Sequence, residues 1–142
     1  MDSKTTNIEL KKISETEYLV GRNLTQLIHG NIIYVNAVGE QTAELAELQN
    51  KINMTLATAS NGKINYLIDL NKCGKNSPEA RQTWNDLCMN ANTLKVAVFG
   101  LHPVAKVLAS FVMGITNRKN ERFFTSEEDA LKWLLEDNTT QQ

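Results

Sequence analysis

The apolar positions of this chain follow two periods. From about Thr42, the residues Leu45, Leu48, Ile52 and Leu56 recur in steps of three and four, which places them on one face of a helix running to about Ser60, where Asn61-Gly62 ends it. Before it, Ile32-Ile33-Tyr34-Val35-Asn36-Ala37-Val38 is rich in β-branched and aromatic residues and predicts a strand stopped by Gly39. After it, Ile64 to Leu70 predicts a strand buried on both faces, followed by a polar loop to Asn76. Ser77-Pro78 then supplies an N-cap and a proline at the first helical position, where its missing N–H costs nothing. That helix turns Ala80, Trp84, Leu87, Cys88 and Ala91 inward.

Further on, Lys95 to Gly100 predicts a short apolar strand, and His102-Pro103 starts a helix whose stripe runs Val104, Val107, Leu108, Phe111, Val112 and Ile115. A short strand follows at about Arg122-Phe123-Phe124. Thr125-Ser126-Glu127-Glu128 reads as a capping box with Thr125 as the cap, opening a last helix that faces Ala130, Leu131, Leu134 and Leu135 inward. Residues 137–142 form a polar tail. The first thirty residues predict short strands or an extended lead-in, from the apolar positions Ile8, Leu10, Ile13, Tyr18-Leu19-Val20 and Leu24 to Ile28. The turn at His29-Gly30-Asn31 pairs that lead-in antiparallel with the next strand. Strand and helix alternate from residue 31 onward, which predicts an α/β fold in a single domain. Its sheet is expected to be mainly parallel, with about four or five strands and helices packed on it.

Composition narrows the partners. The chain has 142 residues and a formal net charge of −1. This balance argues against nucleic acid, which normally demands an excess of Lys and Arg. The longest apolar runs, such as Val107 to Met113, are far shorter than the roughly 20 residues of a membrane helix. The polar start Met1 to Asn7 has no apolar signal core, so the expected compartment is the cytoplasm. Cys73 and Cys88 are the only cysteines and form no metal-ligand spacing with His29 or His102, so neither a metal site nor a cofactor is expected. Cys88 reads as a small core residue. Cys73 is placed in the polar loop beside Lys72 and Lys75, where positive charge favours a thiolate.

The chemistry that remains gathers at one edge. In a parallel sheet the loops after Leu70 and Gly100 emerge together, so Asp69, Lys72, Lys75, Ser77, His102 and Lys106 are candidates for a ligand or partner edge flanked by two helix N-termini. The plainer account makes Asp69 a loop-organising carboxylate, the lysines solvated and His102 a cap. Trp133 lies just off the stripe of its helix and is the candidate interface residue, whereas Trp84 belongs to the core. No nucleophile has an adjacent base, so no catalytic residues are assigned and the chain is not expected to be an enzyme.

The strand end Leu67-Ile68-Asp69-Leu70, the helix start Ser77-Pro78-Glu79-Ala80-Arg81, the strand Lys95 to Gly100 and the ending Phe124 to Leu134 together resemble bacterial STAS-like domains with the SpoIIAA-like, anti-sigma-factor-antagonist fold. The resemblance runs from about Ile32 to Leu135. It implies a non-enzymatic regulatory module that binds another protein; the expected partners are such a protein and a second copy of this chain, as a homodimer. In phosphorelay members a serine near this helix start is phosphorylated, and Ser77 is the residue onto which that role would carry. Here, however, Pro78 follows it in place of the Asp-Ser-Ser-Gly type of turn. The alternative is a small-molecule binding domain for an apolar or anionic ligand, such as a lipid, with the helix Val104 to Ile115 as a pocket wall.

Overall fold

The computed structural model describes residues 8–60, 62–100 and 120–136. Four strands open the chain, β1 (Leu10–Ser14), β2 (Glu17–Val20), β3 (Asn23–Ile28) and β4 (Ile32–Gln41), followed by helix α1 (Ala43–Ala59). Then come β5 (Ile64–Asn76), α2 (Pro78–Met89), β6 (Thr93–Phe99), β7 (Glu121–Phe124) and α3 (Glu127–Leu135). All seven strands form one sheet in sequence order. The first four are antiparallel neighbours, and β4 through β7 are parallel. The class is the expected α/β. The sheet exceeds four or five strands because the lead-in forms three full strands, folded back by turns at Gly21 and at His29-Gly30, all with positive φ.

The two faces of the sheet carry separate cores. Val20, Ile33, Val35, Tyr66, Ile68 and Val96 pack beneath α1 and α2. On the opposite face Ile32, Leu67, Ala97 and Phe99 pack against Ala130, Trp133 and Leu134 of α3. Alternate residues of β4, β5 and β6 thus enter different cores, which is why these strands read as continuous apolar runs. Thr42 caps α1 by accepting from the Leu45 amide at 3.2 Å.

Gly39 does not stop β4. The strand passes through it at φ +77 and continues to Gln41, with register shifts against β5 on both sides of the glycine. Opposite lies Gly74, where a Cβ would sit 3.2 Å from the Gly39 carbonyl carbon, so the absence of a side chain lets the two strands approach closely at the bulge. The loop expected after Leu70 is consequently strand, because its polar residues pair through their backbones with the extended end of β4.

Two smaller differences concern helix ends. Helix α3 starts one residue later than the capping box implied, with the Ser126 hydroxyl accepting from the Asp129 amide at 3.2 Å. Helix α2 ends at Met89, leaving Ala91 exposed. The helix expected at Val104 to Ile115, with His102 and Lys106, lies outside the described residues, as does the polar tail. No described helix is long and apolar enough to cross a membrane.

Candidate functional site

The carboxyl ends of β4 and β5 feed the N-termini of α1 and α2, and this edge holds the described candidates. The Ser77 hydroxyl accepts from the Ala80 amide at 3.0 Å, with Pro78 beginning the helix, as the sequence predicts. Its own amide donates to the Gln41 carbonyl at 3.0 Å, which ties the start of α2 to the end of β4. Replacing Ser77 with Ala should therefore cost about 1 kcal/mol of stability, while Ser77→Asp, which keeps an acceptor at the cap, should cost a few tenths. Urea denaturation of the two variants checks this, and equal losses would contradict the capping role.

Asp69 is organised within the sheet. One carboxylate oxygen accepts from the Tyr34 hydroxyl at 3.2 Å, and the other from the amide and side chain of Asn71 at 2.9 and 3.0 Å. Burial pushes the Tyr34 phenol up, and the neighbouring Asp69 charge pushes it further in the same direction. Lys72 and Lys75 are exposed on the extension of β5. Among the described residues no hydrogen bond or ion pair joins Asp69, either lysine and Ser77 to one another.

Cys73 departs from its expected place. It is 4% exposed within β5, its side chain in the core beneath the helices, and not in an open basic loop. Burial pushes its thiol up, only partly opposed by the Asn76 amide hydrogen bond at 3.4 Å, so the thiolate is disfavoured. Asn76 is the local organiser: its side-chain oxygen accepts from the Trp84 indole at 2.9 Å and its carbonyl from Arg81 at 2.9 Å. Trp84 is accordingly half-buried, packed against the core through its ring and anchored by its N–H.

Trp133 is not an open interface residue. The inward face of α3 is Ala130, Trp133 and Leu134, which buries Trp133 to 9% and leaves Leu135 52% exposed. Its ring lies 5.6 Å from that of Phe124, with Lys95 Nζ 4.9 Å and Arg122 Cζ 5.1 Å from its centroid. Its carbonyl accepts from Lys95 Nζ at 2.7 Å. Burial pulls the Lys95 ammonium below the ordinary lysine range, with Glu136 acting against that shift.

A polar cluster beneath α1 went unassigned in the sequence. Asn23, Thr25, Gln41, Gln49 and Asn53 are each 2% exposed or less. Asn23 donates to Gln41 at 3.0 Å and to Gln49 at 3.1 Å, while its oxygen accepts from the Val38 amide at 2.9 Å. Gln49 donates in turn to Thr25 at 2.9 Å and to Asn53 at 3.0 Å. Gln41 donates to the Gly39 carbonyl at 3.1 Å, so the bulge in β4 is held by the same network. The signal for this cluster is Gln49 and Asn53 standing at i and i+4 among Leu45, Ile52 and Leu56, where the helical stripe calls for apolar side chains.

This arrangement of sheet and helices is a SpoIIAA-like, STAS-like fold. It is similar to the structure of an uncharacterized protein of the DUF3478 family with a SpoIIAA-like fold from Shewanella loihica PV-4, at 20% identity and TM-score 0.56, over 89% of this chain and 91% of that one. It is also similar to the anti-sigma factor antagonist SpoIIAA in its unphosphorylated form, at 9% identity and TM-score 0.53, over 79% of this chain and 96% of that one. The chain belongs to the family defined by the domain of unknown function DUF7793, which matches residues 26–137. Among curated proteins, none matches this sequence.

Proposed function

We propose that this chain is a non-enzymatic regulatory module of the STAS type that acts by binding another protein. The SpoIIAA-like fold carries the reading, because one of its structural neighbours is an anti-sigma factor antagonist. The proposed contact region is the edge where Lys72 and Lys75 project from β5 beside the capped start of α2 at Ser77. Fixed strand and helix ends suit recognition, since the partner meets a surface whose ordering cost is already met by the fold. Two exposed lysines at the rim would steer an acidic partner surface.

The test combines recovery and reconstitution. Full-length protein, tagged and cross-linked in its own host, should recover a protein partner that rebinds the purified chain. Lys72→Glu with Lys75→Glu should weaken that binding about tenfold without altering stability, because both side chains are exposed. A reconstituted partner indifferent to this double charge reversal would overturn the assigned edge. Absence of any partner that rebinds would overturn the reading itself.

A further inference from the structure

An open groove of about 470 Å³ lies between the start of β1, the turn from β2 to β3, the end of β4 and the first turn of α1. Its size is that of a small-molecule site. One wall is apolar, formed by Ile8, Val38 and Leu45. The floor between Ile8 and Leu45 exists because residue 21 is glycine: a Cβ there would lie 3.2 Å from Leu45 Cδ1 and 3.4 Å from Ile8 Cγ2.

The charges around this groove are of both signs. The Arg22 guanidinium lies across Gly39, where a Cβ would meet Nη1 at 3.0 Å. Glu9 and Glu40 line the same groove, yet among the described residues Arg22 makes no ion pair with either. The fork of donors on Arg22 is therefore free to take a carboxylate in a bidentate pair, and the first turn of the 17-residue α1, capped by Thr42, favours the same sign of charge. The two glutamates are free to take a cation. Directly beneath, Asn23 is bonded to the Val38 amide, Gln41 and Gln49, so the arginine-bearing turn is fixed to both β4 and α1.

We infer that this groove binds a small zwitterion of the aliphatic α-amino-acid type, with its carboxylate on Arg22, its ammonium toward Glu9 and Glu40, and its side chain against Ile8, Val38 and Leu45. Other ligand classes meet this surface less well. A phosphate-like dianion would face two carboxylates, a fatty acid would leave both glutamates without a counter-charge, and a simple amine would leave Arg22 without one. The inference does not rest on the protein-binding reading, since the Lys72 and Lys75 edge takes no part in it.

Nuclear magnetic resonance titration of the full chain with L-leucine provides the test, with 3-methylbutanoate, 3-methylbutylamine and glycine as probes that each lack one feature. Leucine should shift the amides of Gly21, Arg22, Val38 and Thr42 saturably, with a dissociation constant on the order of 1 mM for so open a site. Each truncated probe should bind about tenfold more weakly or worse. Arg22→Gln should lose about tenfold in affinity with the remaining spectrum unchanged, and Glu40→Gln should weaken leucine without weakening 3-methylbutanoate. Absence of saturable shifts at these amides would overturn the inference. So would equal binding of 3-methylbutanoate, which would mark a plain anion site, or unchanged affinity in Arg22→Gln.

Discussion

Replacing Asn23 with alanine should destabilise the protein by about 3–5 kcal/mol, more than any surface change considered above. Asn23 is fully buried and is the one residue of the network that touches β4, α1 and the bulge at once. Its removal strips the Val38 N–H and the two glutamine carbonyl oxygens of the hydrogen bonds that Asn23 supplies. Each buried polar group left without a partner costs about 1–3 kcal/mol. Gln41 and Gln49 keep their own donations to Gly39, Thr25 and Asn53, which is why the loss should stop short of unfolding. Urea denaturation gives the measurement, and a loss below about 1 kcal/mol would show that the network is not held as a unit. Asn23→Ala combined with Gln41→Ala should cost less than the two single losses added together, because the second substitution removes one of the groups that the first leaves stranded.

Such a network gains little over an apolar core in stability, but it specifies geometry. Apolar residues in its place would still bury α1 against β3 and β4, yet nothing would fix the bulge at Gly39 or the turn that carries Arg22. The cost of those buried amides is concentrated beneath the groove, where position matters most for binding.

These same residues mark the limit of what the sequence reveals. Strands such as Ile64 to Leu70 and Lys95 to Phe99 were legible because both of their faces are buried, and the starts of α1 and α2 were legible because Thr42 and Ser77 cap them through local contacts. The continuation of β5 through Asn71 to Asn76 was not, since its strand character comes from backbone pairing with β4 beyond Gly39, and hydrophobic patterning carries no trace of that. Gln49 and Asn53 break the apolar stripe, and the partners that explain this, Asn23 and Thr25 on Gln49, are remote in sequence, while Asn53 is reached through Gln49. The candidate edge was legible as an address, through Ser77 and its cap. The inward position of Cys73 was decided by the strand extension and was hidden for the same reason.

The second large effect is expected at the other core. The stripe that the sequence predicts for α3, Ala130, Leu131, Leu134 and Leu135, is rotated in the folded chain, so that Trp133 and not Leu135 enters the core. Trp133→Ala should then cost about 3–5 kcal/mol, the range for emptying a buried aromatic site, because it removes the contacts with Phe124 and opens the ring site between Lys95 and Arg122. Trp133→Phe should recover much of the loss, since it keeps an aromatic face over the cations, though a weaker one than indole. Arg122→Ala should cost less than about 1 kcal/mol because that cation is exposed, and the backbone acceptor for Lys95 survives all three changes. Denaturation followed through the remaining Trp84 separates these outcomes. A small loss in Trp133→Ala would mean that α3 is docked only loosely, whereas the expected large loss makes it an integral part of the second core, closing the face of the sheet opposite α1 and α2.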